Sequence, residues 1–169
     1  LAGKTFGVIG CGHIGQKALK IAYGFSMHTL AYDPFPADGV AEELGFSYVS
    51  LEELLRESDV VSLHVPYNPH THHLLNRERL FAMKPGAILL NTARGALVEN
   101  SALVEALDTG HLGGAGLDVL EGEKLLNYED QLTLIHSGGE TSVDMFRHSV
   151  EITALKQMPN VIVAPHNAF

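Results

Sequence analysis

A chain of 169 residues with 46% hydrophobic and 18% charged residues suits one domain, and roughly 70% of its extended-chain surface can be buried on folding. That composition excludes a disordered chain, a collagen and a disulfide scaffold. The formal net charge of −9 argues against nucleic acid or an anionic membrane as a partner, although one well-placed Arg can still hold a small anion. No apolar run approaches the ~20 residues of a membrane span. The single cysteine, Cys11, cannot form an internal disulfide, which fits a reducing, cytoplasmic setting.

Apolar runs of strand length alternate with helical stretches, the pattern of βαβ units and a parallel sheet. Strands are predicted at Thr5–Ile9, His28–Tyr32, Phe46–Val49, Val60–His64, Ala87–Asn91, Ala115–Val119 and Val161–Val163. Most are apolar on both faces, as expected when helices cover each side of the sheet. Between the first two, Ile14, Ala18, Ile21, Ala22 and Phe25 recur at helical spacing and are expected to pack on the sheet. Ser50-Leu51-Glu52-Glu53 has the form of a capping box, predicting a helix that carries Leu54 and Leu55. Asn76 can cap a helix holding Leu80, Phe81 and Met83, stopped by Pro85-Gly86. A further helix holds Leu103, Val104 and Leu107 and ends near Gly110. Residues 124–150 read as an insertion before a last helix, about Ser149 to Gln157. The chain starts at Leu1 and stops at Phe169, each close to a strand, so we expect a domain, residues 1–169, excised from a longer protein.

The first strand runs into Gly10-Cys11-Gly12-His13-Ile14-Gly15, a GxGxxG at the start of a helix. The first glycine permits a tight turn, the second lets backbone approach a pyrophosphate, and the third allows close helix–strand packing. The helix N-terminus adds free N–H groups and positive dipole. Alone the pattern is weak, because glycine-rich turns are common. Here Asp33 stands 18 residues after Gly15 at the end of the second strand, which completes the dinucleotide fingerprint. Gly10, Gly12, His13, Ile14 and Gly15 are therefore expected to meet the pyrophosphate, and Asp33 the adenine ribose. Pro34-Phe35-Pro36 offers no Arg for a 2′-phosphate, so NAD is favoured over NADP. Cys11 occupies a variable loop position and is given no thiol chemistry.

Four further segments carry a resemblance: Val65-Pro66; Asn91-Thr92-Ala93-Arg94-Gly95; the run Gly114 to Glu123; and Ala164-Pro165-His166-Asn167-Ala168-Phe169. With the glycine loop, they resemble the cofactor domain of the D-isomer-specific 2-hydroxyacid dehydrogenases. Asp118-Val119-Leu120-Glu121-Gly122-Glu123 and the long gap to His166 are most similar to the D-lactate dehydrogenases. The resemblance implies a doubly wound parallel α/β sheet, a Rossmann-type NAD-binding domain set within a second, substrate-side domain. It also implies a homodimer built through the cofactor domains, acting on a small 2-hydroxy or 2-oxo acid, with D-lactate and pyruvate leading.

Residue by residue, the resemblance makes Arg94 the group that binds the substrate carboxylate and carbonyl, a task suited to a planar, permanently charged fork. It makes His166 the proton donor to the carbonyl oxygen, and imidazolium suits that role near neutral pH. Glu123 is implied as the acidic partner of His166, with Glu121 competing two residues away. Asp118 is implied beside the nicotinamide, with Val65, Pro66, Thr71, Thr92, Ala93 and Arg94 as further cofactor contacts. The alternative function is an NAD(H)-sensing binding protein or corepressor of the same fold. A dehydrogenase or hydrolase of another kind, with Arg94 and His166 coincidental, is a third reading. His70-Thr71-His72-His73 places three histidines in four residues, but no carboxylate or Cys lies nearby in sequence. No resident metal is expected there, only adventitious nickel or zinc.

Overall fold

The computed structural model describes residues 1–122 and 140–164. In chain order the elements are β1 (Thr5–Ile9), α1 (His13–Gly24), β2 (His28–Tyr32), α2 (Val40–Leu44), β3 (Ser47–Tyr48), α3 (Leu51–Glu57), β4 (Val60–Leu63), α4 (Arg77–Ala82) and β5 (Ile88–Asn91). A 3-10 turn (Gly95–Leu97), α5 (Asn100–Asp108), β6 (Gly114–Leu117), α6 (Glu140–Gln157) and β7 (Val161–Val163) follow. The strands form one seven-stranded sheet in the order β3-β2-β1-β4-β5-β6-β7. Every adjacent pair is parallel. The order reverses between β1 and β4, which opens a crevice at their carboxyl ends.

Alternation along β1 divides the core. Ile9 joins the larger apolar cluster with Leu54, Leu63, Leu89, Leu103 and Leu155, under α3 to α6. Val8 points the other way, to Leu19, Ala31 and Phe46, under α1 and α2. Local signals explain several helix starts. Ser50 Oγ accepts from the Glu53 N–H at 3.1 Å, and Asn76 Oδ1 accepts from the Arg79 N–H at 3.1 Å. Each satisfies one orphan donor of a first turn. Helix α4 stops at Ala82, ahead of Pro85, and Met83 is already extended.

The expected face of α1 is corrected. Gly15, Leu19 and Ala22 are its buried residues, whereas Ile14, Ile21 and Phe25 are 60%, 63% and 55% exposed. The contact is made by Gly15, Ala22 and Leu19, the last in one cluster with Val8, Ala31 and Phe46. Ala18, Ile21 and Phe25 instead edge an apolar cleft of about 780 Å³ that runs across the sheet face, over Phe6, Val60 and Ile162. Helix α6 begins nine residues before its predicted start, and α2, flanked by Gly39 and Gly45, was not predicted. Strand β6 is Gly114–Leu117 rather than 115–119. The predicted insertion falls partly on residues 124–139, outside the described residues. Among the described residues no helix is long and apolar enough to cross a membrane.

At the amino-terminal edge, Asp59 ties β1, β4 and the α4–β5 turn together. Its carboxylate accepts from Lys84 Nζ at 2.8 Å and the Thr5 N–H at 2.9 Å, with Lys4 Nζ at 3.4 Å. The Lys84 bond first, then the Thr5 N–H, hold its pKa down at about 2. A folded-state pKa below the unfolded value gives stability that is present above pH 4 and lost as pH falls towards 2. Asp59→Asn is expected to lower the thermal midpoint at pH 7, by about 2–4 °C for each kcal/mol lost. The gap from the parent should close near pH 2; an equal gap at both pH values in calorimetry would exclude the ionised contact as its source.

Candidate functional site

The carboxyl ends of the strands are bonded sideways into a continuous rim. The Gly10 N–H donates to the Tyr32 carbonyl at 2.8 Å, and the His64 N–H to Ile9 at 2.8 Å. The Asp118 N–H donates to Asn91 at 3.0 Å, and Ala164 to Leu117 at 2.9 Å. Residues distant in sequence are thereby held along one edge, where ligands of open α/β sheets collect.

The glycine loop sits at the crevice. Gly10 has φ +97°, and a Cβ there would meet Val65 Cγ1 at 2.7 Å and the His64 backbone. A Cβ on Gly15 would strike the Gly10 carbonyl oxygen, so this glycine sets how near α1 comes to β1. Gly12 differs: a Cβ would find nothing within 4 Å. Gly12 gives α1 no side-chain cap, which leaves first-turn N–H groups of His13, Ile14 and Gly15 for an anion. Open space above Gly12 and uncapped donors are what a pyrophosphate needs, so the loop fits a dinucleotide.

Asp33 is less solvated than its sequence context suggests. Its Oδ2 accepts from the Cys11 N–H at 2.8 Å and its Oδ1 from the Phe35 N–H at 2.9 Å. The carboxylate clasps the glycine loop to the end of β2 and keeps lone pairs for ribose hydroxyls. Cys11 is buried; burial first, then the Asp33 charge, push its thiol pKa up against the hydrogen bond from Tyr48. A raised pKa disfavours the thiolate, in keeping with no thiol chemistry. Val65 is half-buried beside Gly10, and Pro66 is exposed. Thr71 closes its own loop: the hydroxyl donates to the Pro66 carbonyl at 2.8 Å and accepts from the Asn68 N–H at 2.8 Å.

After β5, Thr92 and Arg94 are exposed and Ala93 is half-buried. Arg94 Nη1 donates to the Ala93 carbonyl at 2.6 Å, and among the described residues the guanidinium meets no carboxylate. Its segment is organised by Asn91, which is 1% exposed. Asn91 Oδ1 accepts from the Ala93 N–H at 3.1 Å and its Nδ2 donates to the Arg94 carbonyl at 2.9 Å. No motif marks this role in the sequence; its one local trace is a polar residue closing an otherwise apolar strand. Asp118 is buried at the end of β6 and, with His64, Thr92 and Ala164, borders the apolar cleft. Burial lowers the pKa of His64, whose Nε2 lies 2.9 Å from Ser62 Oγ. Glu123 and His166 lie outside the described residues. The competing Glu121 is bonded to His73, with Nε2 at 2.8 and 3.0 Å from its two carboxylate oxygens.

A parallel sheet with a glycine loop, an uncapped helix start and an acidic β2 end at its switch point defines a Rossmann-type dinucleotide-binding domain. The chain belongs to the D-isomer specific 2-hydroxyacid dehydrogenase family as its NAD binding domain, matched over residues 1–168. It is 46% identical over 165 residues to a D-specific alpha-keto acid dehydrogenase of Enterococcus faecalis, covering 98% of this chain and 46% of that protein. Identity to the D-lactate dehydrogenase of Escherichia coli is 44% over 167 residues, 99% of this chain and 47% of that one. The crystal structure of the Lactobacillus jensenii D-lactate dehydrogenase with NAD+ superposes with a TM-score of 0.81 at 34% identity, covering 98% of this chain and 46% of that chain. The chain thus spans about half the length of the curated relatives it matches. These relatives are named as dehydrogenases, which does not favour the NAD(H)-sensing alternative.

Two glycines separate fold from binding. Gly15→Ala is expected to destabilise the chain by about 1–3 kcal/mol, the range for overpacking, read as a drop in denaturation midpoint. Gly12→Ala should cost no more than about 1 kcal/mol, the difference between glycine and alanine as an N-cap, while weakening NAD(H) binding tenfold or more in calorimetry. Matching losses of stability and affinity in Gly12→Ala would contradict the open space above it.

Proposed function

We propose that this chain is the cofactor domain of a longer, two-domain, NAD-dependent D-2-hydroxyacid dehydrogenase, with D-lactate and pyruvate as the leading substrate pair. The observation that carries the reading is Arg94: an exposed guanidinium at the carboxyl end of β5, held by Asn91, without a carboxylate partner among the described residues. Its planar fork suits the carboxylate and carbonyl oxygens of a 2-oxo acid. Gly10, Gly12, His13, Ile14 and Gly15 would hold the pyrophosphate, and Asp33 the adenine ribose. Val65, Pro66 and Thr71 would border the cofactor, with Thr92, Ala93 and Asp118 beside the nicotinamide. Asp33 repels a 2′-phosphate, which favours NAD over NADP.

Bound NAD(H) supplies the hydride exchanged at C2 of the substrate. Arg94 orients the oxo acid and stabilises negative charge growing on its carbonyl oxygen. His166 protonates that oxygen on reduction and removes the hydroxyl proton on oxidation, as microscopic reversibility requires. Glu123 favours the protonated imidazole and fixes its orientation. The engagement of Glu121 with His73 supports this register, because it leaves the next acidic residue to serve His166. A homodimer through this domain follows from the family resemblance, and a cytoplasmic setting fits the lone buried cysteine.

The 169-residue chain should bind NADH yet not reduce pyruvate, because a second wall is needed to position substrate and exclude water. In the longer protein, Arg94→Gln and His166→Gln should each leave NADH affinity within about twofold. Each should lower kcat/KM by about 10²–10⁴, the usual range for a charge stabiliser or a general acid. A steady-state panel of 2-oxo acids with NADH and NADPH checks this; full activity in either variant would defeat the assignment.

A further inference from the structure

The fold supplies what the histidine-rich loop lacks in sequence. His72 and His73, in the loop after β4, meet Glu121, in the loop after β6, across 48 residues of chain. One donor atom from each of the three side chains lies within 4.8 Å of the others. The two imidazoles stack with centroids 3.9 Å apart and planes 24° from parallel, so their ring edges lie side by side. Two nitrogens on a tetrahedral zinc stand about 3.3 Å apart, given bonds of about 2.0–2.1 Å. The lone pairs of stacked rings run nearly parallel, so both imidazoles reach one ion only when the exposed His72 ring rotates about its side-chain torsions, which its place on the surface allows. His73 Nε2 lies 2.8 and 3.0 Å from the Glu121 oxygens, so an ion entering between them would widen that contact by a few tenths of an ångström.

The backbone at His73 is held in an uncommon conformation. Its φ is +48°, in the left-handed region that a non-glycine residue seldom occupies, and its N–H donates to the Ala96 carbonyl at 2.9 Å. That bond and the Glu121 contact are what aim the ring at the carboxylate. Glu121 is anchored in turn: its carbonyl accepts from Asn100 Nδ2 at 3.1 Å. His72 is exposed and the other two are half-buried, so an ion can reach the group from solvent.

We propose that His72, His73 and Glu121 form a site for a borderline divalent transition ion such as zinc, bound by two imidazoles and one carboxylate with a fourth position open to water. Two histidines and a glutamate are a donor set that zinc accepts, and thiolate is not required. The ion would join the β4–α4 loop to the loop after β6. Between those loops lies the turn after Arg94, where Gly95 packs against Leu120 and Glu121 backbone with no room for a Cβ. Occupancy would therefore brace the segment that carries Arg94, without the ion touching that side chain.

The test is titration of the chelator-stripped chain with zinc chloride by calorimetry, repeated with cobalt(II) for its visible absorption. The expected result is one ion per chain, an intense d–d band of four-coordinate cobalt, and a raised thermal midpoint. His72→Gln, His73→Gln and Glu121→Gln should each weaken zinc binding tenfold or more, since even outer partners of a metal site are worth that much. His72 is exposed, so its substitution leaves folding intact and keeps the test valid if the other two variants unfold. His70→Gln should change nothing. Absence of saturable binding overturns the proposal, as does binding that survives all three substitutions or falls with His70→Gln, the mark of an adventitious ion only.

Discussion

Helix α1 approaches the end of β1 so closely that Gly15 rests on the Gly10 carbonyl, and the arrangement of the cofactor edge follows from that contact. Any side chain at position 15 would lift the helix away and turn its first-turn N–H groups off the rim. The same closeness determines what else α1 can bury. Gly15, Leu19 and Ala22 face the sheet, and Ile14, Ile21 and Phe25 lie on the outside. A rule of apolar residues inward misleads here because both stripes of the helix are apolar. The buried stripe is the one that holds Gly15, where the helix comes down on the Gly10 carbonyl.

Lateral hydrogen bonding spreads this local geometry across the sheet. With Gly10 tied to Tyr32, His64 to Ile9 and Asp118 to Asn91, the strand ends share one level. The first residues beyond each strand then have a common side on which to act. Arg94 depends on this twice, through the position of β5 and through the buried Asn91 side chain that shapes its turn. A flexible guanidinium thus stands on a backbone whose Ala93 amide and Arg94 carbonyl already have partners.

What the sequence made legible was whatever is contiguous. The run Phe6 to Ile9 marked β1 because a parallel strand covered on both faces needs no alternation, whereas β2 alternates, with Thr29 and Ala31 buried and His28 exposed. The capping serine and asparagine located α3 and α4 from side chains that bond within three residues. The glycine loop and Asp33 were readable because their spacing is itself the geometry. Helix α2, five residues between two left-handed glycines, is too short to show periodicity. Glycine-rich β6 lacks the β-branched signature of a strand, which displaced its predicted start. The pairing of His73 with Glu121 has no local trace, since two crossovers of the sheet separate them.

Asp33 couples recognition to architecture in a way that bears on redesign. Its carboxylate is the acceptor for the Cys11 amide, inside the very turn that greets the nucleotide. Exchanging it for a small or basic residue to admit a phosphorylated ribose would strand that amide, at a cost of about 1–3 kcal/mol. A successful change of coenzyme preference must therefore install a replacement acceptor, such as a serine or asparagine oxygen, along with the new positive charge. Altered selectivity and a sound loop are one engineering problem at this position.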